Sequence, residues 1–283
     1  MQRPPTAWRR RLKRITLLLA IGYAGWCTLL YSLQTSMLFP RGLPNSLGWA
    51  SRAPDGFESW KTPVPDGSSV EAWYMPGEGR DAAHPGPAVM YFHGNAELID
   101  HAQDVARWYA RRGVGVVLVE FRGYGRSGGT PSQQAILADS CAFYDTLAGR
   151  PEVDPSRIFV HGRSVGGGPA AQLTTARKAA AIVLNSTFTS VPAMARRYVV
   201  PPFLVRSPFR TDEVLEDCHL PVLIAHGTWD DVIPFAHGQR LASLAPGATF
   251  VPLRCAHNDF PGEDGPAYEE ALEGFLRAHA LMD

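Results

Sequence analysis

Cysteine is scarce in this 283-residue chain. The four present are Cys27, Cys141, Cys218 and Cys255, with no zinc-type spacing of Cys and His. Cys218 precedes one predicted strand and Cys255 ends the next, so a parallel pair would hold them at opposite ends. That exceeds the ~7 Å Cα reach of a disulfide, and free thiols are expected. The chain also lacks internal repeats, low-complexity tracts, a dinucleotide fingerprint and a phosphate loop, so no cofactor is implied. Its 27 Gly and 24 Pro sit in an ordinary balance of 45% hydrophobic and 19% charged residues, which excludes collagen-like, coiled-coil and disordered classes. Net charge is absent too, at a formal zero. Six of the 27 basic residues (Arg3, Arg9, Arg10, Arg11, Lys13 and Arg14) lie in the acid-free first 14, leaving 21 against 27 acids in the rest. A slightly acidic body argues against a nucleic-acid partner. One α/β domain with a sizeable core fits the length.

One absence is itself a signal. Between Arg14 and Arg41 no residue is charged, and Ile15–Leu33 is an almost wholly apolar run of 19 residues. A helix needs ~20 residues to cross a bilayer, so residues 15–36 are expected to form a transmembrane anchor behind a basic tail, 1–14. The basic excess before the run predicts a cytoplasmic N-terminus and a body, 37–283, on the extracytoplasmic side. A cleavable signal peptide fits less well. Its apolar core is ~7–15 residues, and no Ala-x-Ala follows before Pro40. Lipoprotein processing at Cys27 would want a small residue where Trp26 stands.

Beyond the anchor, strand and helix alternate. Phe57 to Met75 reads as a strand pair turned at Pro65-Asp66-Gly67. Apolar runs follow at 88–92, 115–121, 158–160, 180–184, 222–225 and 249–253, with helical patterns near 97–112, 131–148, 165–178, 235–244 and 266–280. Apolar runs with no polar alternation belong in a mostly parallel sheet covered by helices on both faces. Residues 189–217, proline-studded and apolar, are expected to form a short lid.

Chemistry is expected where strands end. Gly162-Arg163-Ser164-Val165-Gly166 follows one strand directly and opens a helix, the context of a nucleophile elbow. Gly125-Arg126-Ser127-Gly128-Gly129 has the same spelling, but Ser127 stands six residues past its strand and no helix follows at once; it is expected to be a loop residue. A serine needs a base to take its proton and a third group to orient that base. His257 follows the last strand, and Asp230 follows the strand before it, where ligand clefts form in open parallel sheets. The neighbouring Asp231 reads as a solvated loop acid. An oxyanion hole needs two N–H donors, expected from Val165 and from Asn95 in the loop His93-Gly94-Asn95-Ala96, with Ala96 the alternative to Asn95. His93, His161 and His226 read as structural histidines.

Taken together these motifs resemble the single-anchor α/β-hydrolase-domain (ABHD-type) serine hydrolases, whose better-known members remove palmitate from proteins. The resemblance runs through Tyr31–Gln34, Leu38-Phe39-Pro40, Pro65-Asp66-Gly67, Tyr91–Asn95 and Arg122–Ser127. It continues through Gly162–Gly168, Ser186–Ser190, His226–Gly238 and His257-Asn258-Asp259. It implies an α/β-hydrolase fold with Ser164, Asp230 and His257 as the triad. The cysteine-rich N-terminus that those members lipidate is missing, and the apolar run stands in its place. The expectation is a membrane-anchored serine hydrolase acting on esters or thioesters with an apolar acyl chain. The rivals are an aminopeptidase-like amidase of the same fold and a non-catalytic membrane-anchored binding module.

Overall fold

The computed structural model describes residues 6–46, 48 and 52–283; Arg3 of the basic tail lies outside them. Helix α1, Thr6–Leu38, is continuous through residues 6–14 of the tail and the apolar run. At ~1.5 Å per residue its 33 residues are about 50 Å long. It is long and apolar enough to cross a membrane, and only 11% of its most apolar window is buried against the body. A short helix, α2 (Gly42–Ser46), follows.

Among the described residues eight strands form one sheet in the order β1-β2-β4-β3-β5-β6-β7-β8. β1 (Glu58–Pro63) and β2 (Ser69–Met75) are the antiparallel pair expected from the Pro-Asp-Gly turn. There the Asp66 carboxylate accepts the Ser68 N–H at 3.0 Å. β3 (Gly86–Phe92), β4 (Gly115–Val119), β5 (Val153–Arg163), β6 (Ile182–Asn185), β7 (Val222–Gly227) and β8 (Thr249–Leu253) are parallel to their neighbours; only β2 meets β4 antiparallel.

The two-residue period of the strands divides their side chains between two cores. Val117, Val160, Leu184 and Ile224 pack on one face with α4 (Gln133–Ala148), α5 (Gly167–Ala176), α7 (Thr211–Glu216) and α8 (Ala236–Leu244). Leu118, Phe159, Val183 and Leu223 pack on the other with α3 (Gln103–Ala110) and α9 (Gly265–Ala278). Each such side chain contributes ~1.5–3 kcal/mol on full burial, which is why the strand runs are apolar without interruption.

Three segments depart from the expected boundaries. The helix expected from residue 97 begins as a 3-10 turn, Ile99–Ala102, before α3. β5 starts five residues before its apolar run, because Val153 pairs with Gly86 at the sheet's start, where polar side chains are tolerated. The 189–217 interval divides. Its first part is α6 (Val191–Ala195) and two 3-10 turns, while Phe209, Thr211 and Leu215 are buried in the body.

His161, near the end of β5, is buried between Asn185 and Tyr109. Asn185 Nδ2 donates to its Nε2 at 2.7 Å, which leaves Nδ1–H to donate to the Tyr109 oxygen at 2.9 Å. Burial pushes its pKa down to about 3. The unfolded chain takes up this proton near pH ~6.5 while the folded chain resists it. Stability is therefore full above that pH and falls as pH drops toward the folded value, by ~1.4 kcal/mol per pH unit. His161→Gln should cost ~1–3 kcal/mol near neutral pH, from the polar partners it strands. It should then lose about 2 kcal/mol less than the parent between about pH 6.5 and 5, read by urea unfolding. Parallel losses in both proteins would show that His161 is not the titrating group.

Candidate active site

Ser164 stands where β5 turns into α5, and its backbone is left-handed, with φ 53°. A non-glycine residue held there costs ~1–3 kcal/mol, so its surroundings must enforce it. They do so by contact. A Cβ on Gly162 would lie 2.4 Å from the Gly166 carbonyl oxygen, and one on Gly166 would lie 2.2 Å from that of Phe92. Both glycines are required by that closeness. Thr187 closes the turn from β6's side, its hydroxyl donating to the Ser164 carbonyl at 2.6 Å.

The turn aims the hydroxyl at the loop after β8, where Ser164 Oγ lies 2.8 Å from His257 Nε2. His257 Nδ1 lies 2.7 Å from Asp230 Oδ2, in the turn after β7. Oδ1 of that carboxylate accepts the N–H groups of Val232 at 3.0 Å and Ile233 at 2.7 Å. Burial works against its ionisation, but the His257 hydrogen bond and the Ile233 N–H outweigh it and hold the carboxyl below its ordinary range. With Oδ2 as acceptor, Nδ1 carries the ring proton and Nε2 is free to accept from the serine. The arrangement can take a proton from Ser164 and stabilise the imidazolium that results. All three side chains are buried.

Gly166, next to Val165, abuts the carbonyls of Phe92 and His93, at the start of the loop that carries Asn95. The 93–95 loop is pinned from beneath. Tyr124 Oη donates to the Asn95 carbonyl at 2.9 Å, and His93 spans the Gly94 carbonyl at 2.7 Å and the Glu120 carboxylate at 2.8 Å. His226 supports the acid turn. Its Nε2 donates to the Ile233 carbonyl at 2.9 Å and lies 3.5 Å from Asp230 Oδ2, and burial foremost keeps the ring below the ordinary histidine range. Ser127 is apart from this group, its Oγ accepting the Glu71 N–H at 2.9 Å. Asp231 is exposed.

Sequence reasoning missed Glu97 and Arg163. Glu97 accepts the Gly94 N–H at 2.9 Å and pairs with Arg163, whose guanidinium donates to the His257 carbonyl at 3.2 Å. The pair ties the loop of Asn95 to the loop of His257. Arg163's place beside the nucleophile was the available hint. Among the described residues no cluster of three or more His, Cys, Asp or Glu could hold a metal ion.

An eight-stranded sheet of this order, with a left-handed serine at the end of β5, defines an α/β-hydrolase. Known proteins agree. A family model described as serine aminopeptidase, S33, matches residues 83–207. An uncharacterized protein of Mycobacterium tuberculosis is 31% identical over 97% of this chain and 98% of its own length. The alpha/beta hydrolase domain-containing protein WAV2 of Arabidopsis thaliana is 35% identical over 76% of this chain and 77% of its own. Among solved structures, a thermophilic esterase of Thermogutta terrifontis shares the fold with a TM-score of 0.65 at 19% identity, covering 81% of this chain and 94% of that one. The chain belongs to the α/β-hydrolase domain-containing family.

The elbow can be probed without touching a reacting group. Gly166→Ala forces its methyl toward the Phe92 carbonyl and should destabilise the fold by about 1–3 kcal/mol, as overpacking does. A thermal melt unchanged from the parent would contradict the close approach.

Proposed function

We propose that this chain is a membrane-anchored serine hydrolase that cleaves esters or thioesters of apolar acyl chains through an acyl-enzyme. The observation that carries the reading is the unbroken run of hydrogen bonds from Ser164 through His257 to Asp230. Ser164 Oγ attacks the acyl carbonyl and gives its proton to His257 Nε2, while Asp230 holds the ring and offsets its new charge. The oxyanion rests on the N–H groups of Val165 and Asn95. His257 then passes the proton to the departing alcohol or thiol. A water attacks the acyl-enzyme by the same route and restores the serine. An oxygen ester also fits the esterase relative, which has been solved phosphoramylated by tabun.

An apolar acyl group is supported by a cavity of about 280 Å³ beside the Asp230 turn, walled by Leu30, Leu38, Val191, Met194, Leu204 and Val232. That is near the lower end of the ~300–1,000 Å³ typical of small-molecule sites. Anchoring is supported by the exposure of α1's apolar side chains, Leu19 at 70% among them. Such surface costs ~25 cal/mol per Å² in water and nothing in hydrocarbon. The six positive charges ahead of the run argue for a cytoplasmic N-terminus and an extracytoplasmic body. The family model's description suggests peptide substrates as a second reading. An aminopeptidase would need an acid for the substrate's ammonium group, and Glu97, on the Asn95 loop, is occupied by Arg163.

A fluorophosphonate probe should label the detergent-solubilised protein and fail to label Ser164→Ala of equal thermal stability; persistent labelling would move the nucleophile elsewhere. Asp230→Asn should lower kcat by roughly 10⁴-fold, as loss of the orienting carboxylate does in triads of this kind. Filling the cavity with Ala195→Trp should reduce the ratio of kcat/KM on p-nitrophenyl decanoate to that on the butyrate by about tenfold, the size of one lost apolar subsite contact. An unchanged ratio would place the acyl chain elsewhere.

A further inference from the structure

The face of the sheet that carries α3 and α9 holds polar groups that the triad does not use. A cleft of about 700 Å³ opens there between the two helices, lined at its floor by Tyr91, His161 and Asn185, near the ends of β3, β5 and β6. Both protons of Asn185 Nδ2 are spent, one on His161 Nε2 at 2.7 Å and one on the Tyr268 oxygen at 2.6 Å. Asn185 Oδ1 has no partner among the described residues, although the side chain is only 3% exposed. Trp108 Nε1, on the α3 wall of the cleft, is likewise buried and unpaired. The Tyr91 hydroxyl makes no hydrogen bond among the described residues. Tyr268, whose oxygen accepts the amide, keeps its own O–H to donate.

Buried polar atoms left unpaired are costly, and native structures hold few of them. An acceptor, a donor and a free hydroxyl gathered in one cleft call for a partner that both donates and accepts. The charges around the cleft limit what that partner is. Burial keeps His161 neutral, with a pKa of about 3, and pushes Tyr91 up to about 12. Arg163 is paired with Glu97, and the exposed rim sets Asp104 and Glu269 against Arg111. At the floor an anion finds no unpaired cation and an ammonium group no unpaired carboxylate, and a buried charge without either is disfavoured. A hydroxyl fits. It donates to Asn185 Oδ1 and accepts from Trp108 Nε1, Tyr91 or Tyr268, so it reproduces the bonds of any water it displaces. Val105, Phe260 and Leu272 offer apolar walls to the carbon skeleton of such a molecule. The volume lies within the ~300–1,000 Å³ of small-molecule sites.

We propose that the cleft between α3 and α9 is a binding site for an uncharged polyhydroxylated molecule, a sugar or polyol, held by Asn185, Trp108, Tyr91 and Tyr268. None of the three triad residues lines it, and the proposal does not rest on the hydrolase reading.

The test is saturation-transfer NMR on the full chain in phosphatidylcholine nanodiscs, with protein-free nanodiscs as the blank. The probes are methyl glucoside, myo-inositol and glycerol, with benzoate and phenyltrimethylammonium as the charged comparators. Transfer to at least one polyhydroxylated probe and to neither ion is expected. Val105→Trp, which fills the cleft from α3, should weaken that probe by about tenfold, as loss of one ligand hydrogen bond does. Trp108→Phe deletes one donor and keeps a ring; it should weaken the probe several-fold, and it serves where Val105→Trp fails to fold. No transfer to any of the three overturns the proposal. Transfer that both variants leave unchanged places the probe elsewhere and overturns it too. Transfer to an ion alone, lost in the variants, overturns the chemical class assigned to the site. The readout needs no turnover, so it is separate from the fate of the hydrolase assignment.

Discussion

The close approach of the 162–168 turn to the end of β3 is the constraint from which the rest of the site follows. Because Gly166 lies against the Phe92 carbonyl, Ser164 has nowhere to turn but into the left-handed conformation, and its hydroxyl is driven off the sheet's edge. The strain is local and the restraint is not. Thr187 from the end of β6, Phe209 against Gly168, and the parallel pairing of β5 with both β3 and β6 all oppose relaxation. A preorganised nucleophile of this kind stores its orientation in the fold, so little has to be ordered when a substrate arrives.

The loops that meet the serine are held as firmly as the serine itself. Asp230 is fixed by two backbone N–H groups and backed by a buried neutral His226. Glu97 and Arg163 join the loop after β3 to the loop after β8, which stands four positions away in the sheet order. Such supporting bonds matter because an ångström of misplacement in a reacting group can cost a hundredfold in rate.

The sequence carried much of this. Uninterrupted apolar runs told of a parallel sheet, and Ser164, Asp230 and His257 were each legible as the residue just past a strand end; the structure brings the three within hydrogen-bonding distance. The two G-x-S-x-G spellings could be separated only by context, since Ser127 and Arg126 serve a buried network around Glu71. What stayed hidden has a common physical cause. Thr187, Glu97 and Arg163 act through partners distant in sequence or through backbone atoms, and neither leaves a periodicity or spacing. The β5 start and the division of 189–217 were hidden for a related reason. The pairing of Val153 with Gly86 and burial against α5 and α8 are decided by tertiary contacts, not by local composition.

In the anchored reading, α1 is more than a leash. Its side chains Tyr23, Trp26 and Gln34 bond the 198–206 segment along a single face, spaced three, eight and eleven residues apart as helix neighbours on one side require. That segment in turn reaches the site, since Arg197 donates to the carbonyl of Val232, whose own N–H holds Asp230. A chain of directional bonds therefore runs from the middle of the apolar helix to the acid beneath His257. Tilting α1 against the body would have to break it. On that reading, a helix fixed in a bilayer would also fix the height and facing of Ser164, because the bonds that tie the segment to α1 and to the acid turn leave the body no separate hinge.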